Sequence, residues 1–153
     1  MPDERNDRTG QMRATEEDGR VLPRAAEPED LNRLFAERAN DGDVEELVAL
    51  YEADATLAFP PGQVVSGTAA IRRVFTQVLA GKPTLTAAIR PAIHTGDLAL
   101  TSVQWTMRMA GPDGAPMTLS GISAEVVRRQ SDGAWLRVID QPNILASPNV
   151  SDG

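Results

Sequence analysis

Two carboxylic acids pose the first chemical question in this sequence. Glu125 and Asp140 stand on either side of Asp132-Gly133. Asp-Gly between two apolar-rich runs is a hairpin signal. With a two-residue loop there, Glu125 lies opposite Asp140, and both point to one face of the sheet. Two carboxylates close together in apolar surroundings cannot both ionise cheaply, so one keeps its proton. That is the requirement for an acid/base pair. A loop of three or four residues changes the register instead. Glu125 then pairs with Arg137 or Arg128 on the sheet surface, and Asp140 caps the chain end. The sequence leaves both arrangements open.

Composition excludes several other chemistries. The chain has no cysteine, which removes disulfides, thiolate catalysis and cysteine-based zinc sites. Its single histidine, His94, argues against a multi-histidine metal site or an HExxH helix, so no metal is expected. His94 lies two residues before the Gly96-Asp97 turn and is expected at the sheet rim. No GxGxxG or phosphate loop is present, so no nucleotide cofactor is expected. The net charge is -7. Such a chain is repelled by phosphates, and Val127-Arg128-Arg129 is too short to form a basic stripe, so no nucleic acid partner is expected. No apolar run approaches the ~20 residues of a membrane helix. Met1 to Arg20 is charged throughout and is no secretory signal. A cytoplasmic location off the membrane is the resulting expectation.

A length of 153 residues fits one domain plus tails. Residues 1–27 carry almost no large apolar side chains and are expected to be a disordered tail. Residues 28–145 form the domain, and 146–153 a second tail. Pro28-Glu29-Asp30 opens a helix. Leu31, Leu34 and Phe35 share one face of it, and Asn40-Asp41-Gly42 ends it. A short second helix follows, with Asp43 and Glu46 as a capping pair and Val44, Leu47, Val48 and Tyr51 as its buried stripe. Ala55 to Phe59 is a strand. A third helix runs from Thr68, the expected N-cap, to Leu79. Four strands follow: Thr84 to His94, Leu98 to Met109, Met117 to Arg129, and Trp135 to Gln141. Helices followed by an antiparallel meander make an α+β domain. Long twisted strands curl, and helices across the concave side enclose a cavity.

Several segments then become recognisable. Asn40-Asp41-Gly42-Asp43-Val44, Val48-Ala49-Leu50-Tyr51, Asp54-Ala55-Thr56-Leu57, Pro60 and Gly67-Thr68-Ala69-Ala70-Ile71-Arg72 resemble the first half of ketosteroid isomerase-like proteins. Gly121 to Pro142, ending in Val138-Ile139-Asp140, resembles the C-terminal half of SnoaL-like and DUF4440-like proteins. The resemblance covers about residues 29–143. It implies an NTF2-like cone, with three N-terminal helices packed on a curved, mainly antiparallel sheet around a pocket. It also implies a homodimer through the outer sheet face, where Trp105 and Trp135 are expected. In ketosteroid isomerase the general base precedes the proline that closes the first strand; here that position is Phe59. The family's tyrosines fall on Phe35 and Phe75. The protonated acid of its oxyanion hole, a worked example of carboxyl pKa control, falls on Glu125. Steroid isomerisation by that route needs a base that a phenyl ring does not supply.

The same resemblance turns Leu100, Ser102, Gln104 and Thr106 inward, with Glu125 and Val127 inward on the next strand. The expected site is therefore Glu125, Asp140 and Gln104, walled by Phe35, Phe59, Phe75, Leu100, Ser102 and Val127. The expected ligand is a small apolar organic molecule. Acid/base isomerase, cyclase or lyase chemistry on an apolar carbonyl compound, without a cofactor, is the leading expectation. A non-catalytic ligand-binding module is the alternative, and a protein-interaction domain is a third.

Overall fold

A computed structural model describes residues 11–13 and 23–145. The expectations for residues 1–10, 14–22 and 146–153 lie outside the described residues. A short ribbon comes first, with β1 (Gln11–Arg13) antiparallel to β2 (Pro23–Ala25). Ala25 is buried in the core. The domain thus begins five residues before Pro28.

In α1 (Asp30–Asn40) Leu31, Leu34 and Ala39 are buried. Asp30 accepts hydrogen bonds from the backbone N–H groups of Ala26 (3.2 Å) and Glu27 (3.0 Å), which fixes the entry of the chain. At its far end Asn40 pairs with an edge strand. Its Nδ2 donates to Leu85 O (2.9 Å), and Leu85 N donates to its Oδ1 (2.7 Å). Helix α2 (Val44–Val48) starts at Asp43, whose side chain accepts from Glu46 N. Here the expectation for Tyr51 changes. The short helix ends, and Tyr51 opens β3 (Tyr51–Leu57), still buried. Next come β4 (Val65–Ser66) and α3 (Thr68–Ala80), in which Ile71, Val74, Phe75 and Leu79 are buried. Gly67, not Thr68, is the N-cap, at φ 90°, a conformation that glycine adopts without strain. Because α3 follows two strands, the expected three N-terminal helices become two that precede β3 and one inserted after β4.

The expected long strands are each divided. Thr84 to His94 becomes β5 (Thr84–Ile89) and β6 (Ile93–Thr95), separated around Pro91, which has no N–H for a ladder. Leu98 to Met109 becomes β7 (Leu98–Thr101) and β8 (Val103–Ala110). Met117 to Arg129 becomes β9 (Pro116–Ile122) and β10 (Ala124–Arg129), and β11 (Trp135–Gln141) closes the sheet. One sheet has the order β4-β3-β11-β10-β7-β6, the other β5-β8-β9. Only β11 and β3 run parallel among the described pairs.

The two sheets are halves of one bent hairpin. Thr101 pairs with Glu125, and Gln104 with Ile122, so the register is unbroken across the bend. Two serines stitch it. Ser102 Oγ donates to Ser123 O (2.7 Å), and Val103 N donates to Ser123 Oγ (3.0 Å). Side-chain hydroxyls thereby satisfy backbone groups that a flat ladder would have paired. The bend makes the sheet concave, and α1 and α3 cover the hollow.

The expected apolar outer face exists, but with other residues. Ile93, Leu100, Val126 and Ile139 follow one another across neighbouring strands. Of these, Ile93, Leu100 and Ile139 are exposed. Trp135 is buried instead, and Trp105 faces the hollow. Opposite Trp105 stands Gly121. A Cβ there would lie 2.9 Å from Trp105 Cζ2 and 2.8 Å from Asn143 Cγ. Gly121→Ala is therefore expected to lower stability by about 1–3 kcal/mol through overpacking. Urea unfolding of both proteins checks this, and unchanged stability would contradict the packing described.

Candidate functional site

The hairpin between β10 and β11 decides which side chains meet. Its loop has three residues, Ser131 to Gly133, closed by Gln130 N donating to Ala134 O (2.7 Å). Gly133 takes the left-handed conformation, φ 89°. Of the two loop lengths that the sequence leaves open, the longer one forms. Taken alone, the longer loop would turn Glu125 away from Asp140. A register shift between Val126 and Val127 cancels it, leaving Val138 as an extra residue on β11. Glu125 and Asp140 become partners after all. The bulge has a second effect. Residues three apart on a regular strand point to opposite faces. Across a bulge they share one, and Arg137 and Asp140 both turn inward.

All three charged groups are nearly sealed from solvent: Glu125 is 2% exposed, Asp140 3% and Arg137 4%. Arg137 Nη1 donates to Asp140 Oδ2 (2.9 Å) and to the Tyr51 hydroxyl (3.0 Å). Tyr51 in turn donates to the same Oδ2 (2.5 Å). Arg137 Nη2 donates to Asn32 Oδ1 (2.6 Å). The guanidinium also lies 4.5 Å from the Phe35 ring centroid, a stabilising cation–π position. No hydrogen bond falls on Asp140 Oδ1 among the described residues.

These contacts set the charges. Burial alone would favour a neutral Arg137, but Asp140, Tyr51 and Glu125 outweigh it and hold the guanidinium charged. Burial, reinforced by Asp140, pushes the Tyr51 phenol well above its ordinary range, so it remains a donor. Glu125 accepts from Thr101 Oγ1 (2.6 Å). Burial pushes the Glu125 carboxyl above its ordinary 4.5, and Asp140 pushes the same way. Arg137, Ser123 and Thr101 oppose this without cancelling it. The cluster is therefore one closed ion pair beside one carboxyl biased toward its neutral form.

Around it lies a cavity of about 100 Å³. Its wall is mainly apolar and includes Phe35, Phe59, Phe75, Trp105 and Met107. Glu125, Asp140 and the three phenylalanines thus come together as expected. Gln104, Leu100, Ser102 and Val127 do not line the cavity. Gln104 and Leu100 are exposed, Ser102 binds the Ser123 carbonyl, and Val127 is buried in the core. The strand phase inferred from the resemblance is off by one. Ala99, Thr101, Val103 and Met107 are the buried positions. The alternation itself carried that signal, because Ser102, Gln104, Thr106 and Arg108 are polar. Asn32, Tyr51, Arg137 and Trp105 were missed. An arginine inside the apolar run Trp135-Leu136-Arg137-Val138-Ile139 was the available cue for one of them. His94 is exposed and packs edge-on against Trp135 at 5.8 Å, away from the cavity.

The family described as "SnoaL-like domain" matches residues 31–138. A ketosteroid isomerase-like protein from Erwinia carotovora atroseptica superposes with a TM-score of 0.67 at 16% identity, covering 74% of this chain and 89% of that one. A conserved protein from Planctomyces limnophilus gives 0.66 at 18% identity, covering 73% and 88%. A candidate dehydratase of the NTF2-like family from Streptomyces avermitilis gives 0.61 at 21%, covering 74% and 92%. At these identities the likeness shows the fold, which is NTF2-like. No curated protein matches the chain.

The buried carboxyl has a consequence for stability. The folded state holds the Glu125 proton more tightly than the unfolded chain does. Stability relative to Glu125→Gln should then be greatest below about pH 4.5 and fall as pH rises through the raised folded-state value. Urea unfolding of both proteins between about pH 4 and pH 8 measures the difference. A difference that stays flat, or grows with pH, would contradict the raised carboxyl.

Proposed function

This chain belongs to the SnoaL-like domain family, and on that premise we propose that it binds a small apolar carbonyl compound and moves a proton on it. The reaction class is isomerisation, cyclisation or elimination by acid and base groups alone. One observation carries the reading: a buried carboxyl held toward its neutral form, Glu125, paired across the hairpin with an ion-paired Asp140 that keeps one oxygen unbonded. A carboxyl held toward its neutral form beside an ion-paired carboxylate is the arrangement that acid/base work needs.

In this reading the Glu125 O–H donates to the substrate carbonyl oxygen. Asp140 Oδ1 takes a proton from the carbon next to the carbonyl, and an enol results. Return of a proton at another carbon isomerises the substrate; departure of a leaving group eliminates it. Arg137 and Tyr51 hold Asp140 in place and keep its charge compensated. Phe35, Phe59 and Phe75 supply the apolar wall, which strengthens each polar contact by excluding water.

A second reading, a non-catalytic binder, is favoured by those same phenyl groups. They stand where the resemblance puts a base and two tyrosines. The two readings separate in one experiment. Acetophenone in D2O is followed by proton NMR for loss of its methyl signal. Acid/base catalysis predicts exchange faster than buffer, slowed about 10²–10⁴-fold by Glu125→Gln. Binding with exchange at the buffer rate would contradict it and leave the binder.

A further inference from the structure

Among the described residues, two buried side-chain nitrogens have no hydrogen-bond partner: Asn32 Nδ2 and Arg137 Nε. Buried donors are nearly always satisfied, so an orphan pair at one place calls for an acceptor that the chain does not supply. Both belong to residues that line the cavity. They are also coupled, because Arg137 Nη2 donates to Asn32 Oδ1 at 2.6 Å. That bond fixes the amide. Turning it over would set N–H against N–H, so the NH2 end is the one left unmatched. Arg137 is itself held by Asp140, Tyr51 and the Phe35 ring. The donors are therefore preorganised.

From this we infer that Asn32, backed by Arg137, forms a docking point for an acceptor oxygen of a neutral, single-ring ligand. The inference rests on the reading of the cavity as a ligand chamber and names what that chamber takes. Charge excludes an anion. The Arg137 charge is already matched by Asp140, so a bound carboxylate would leave an uncompensated negative charge in an apolar space. The raised pKa of Glu125 points the same way, since that group itself resists charging here. Volume sets the size. About 100 Å³ is less than the roughly 150 Å³ of an apolar cavity that takes benzene, which limits the ligand to a single ring. Chemistry requires the oxygen. A hydrocarbon of the same shape would leave both donors unmet, and sites built to hydrogen-bond a ligand reject analogues that lack the group.

The test uses three probes of one shape: acetophenone, ethylbenzene and benzoate. Each is titrated into the full chain and followed by ¹⁵N–¹H NMR. Wild type should prefer acetophenone over ethylbenzene by roughly tenfold, the worth of one hydrogen bond, and should bind benzoate more weakly than acetophenone. The Asn32 side-chain NH2 signal should shift with acetophenone and stay still with ethylbenzene, a readout that needs no variant. Asn32→Leu removes the donor at closely similar volume. It should cut the preference several-fold, leaving the share that the Glu125 O–H supplies, with ethylbenzene affinity within about twofold. Equal binding of acetophenone and ethylbenzene by wild type, a still Asn32 signal, or a preference undiminished in Asn32→Leu would overturn the docking point and leave the chamber standing. Tighter benzoate would overturn the neutral ligand class. If no probe binds up to its solubility limit, the chamber itself is wrong, and this inference falls with it.

Discussion

The ion pair between Arg137 and Asp140 is the interaction on which the rest of the site depends. Burying two charges is costly, and attraction offsets that cost only when geometry and further hydrogen bonds are good. Here both conditions hold. Asp140 Oδ2 receives Arg137 and Tyr51, while Arg137 also reaches Asn32 and lies against Phe35. The pair on β11 therefore orders three side chains from α1 and β3: Asn32, Phe35 and Tyr51. It also sets the field at Glu125, which sits beside a compensated pair rather than a free cation. Burial then decides the protonation of Glu125.

Backbone irregularities make that pair possible. The extra residue at Val138 brings Arg137 and Asp140 to one face and restores Glu125 opposite Asp140. The two-serine bend at Ser102 and Ser123 folds a single long hairpin into a concave wall. Gly121 lets the Trp105 ring lie against the facing strand, where its Nε1 donates to Pro142 O (2.6 Å). Bulges and bends of this kind re-aim side chains at the expense of ladder regularity. Without the extra residue at Val138, Arg137 and Asp140 would point to opposite faces of the sheet.

Sequence and structure agree where periodicity was strong. The apolar faces of α1 and α3 were legible, as were the hairpin at Asp132-Gly133 and the inward set Phe35, Phe59, Phe75, Glu125 and Asp140. Simple register ties the pairing of the two acids to a two-residue loop, yet they pair across a three-residue one. Two irregularities, a longer loop and a bulge, cancelled. Neither leaves a clear mark in residue types, because Val138 is as β-prone as its neighbours. The inward phase of β7 and β8 failed for a different reason. The resemblance puts Leu100, Ser102 and Gln104 inward, against a visible polar alternation from Ser102 to Arg108. Asn32 lay outside any reading of helix stripes, since an asparagine beside Leu31 looks like a boundary residue until Arg137 is placed next to it.

The most direct test of this account is the titration of the Glu125 side-chain carboxyl by ¹³C NMR, in wild type and in Asp140→Asn. The account expects a wild-type midpoint above 4.5. It expects a lower midpoint in the variant, where the Asp140 charge is gone and Arg137 is free to favour an ionised Glu125. A wild-type midpoint at or below 4.5, or a midpoint indifferent to Asp140, would contradict it.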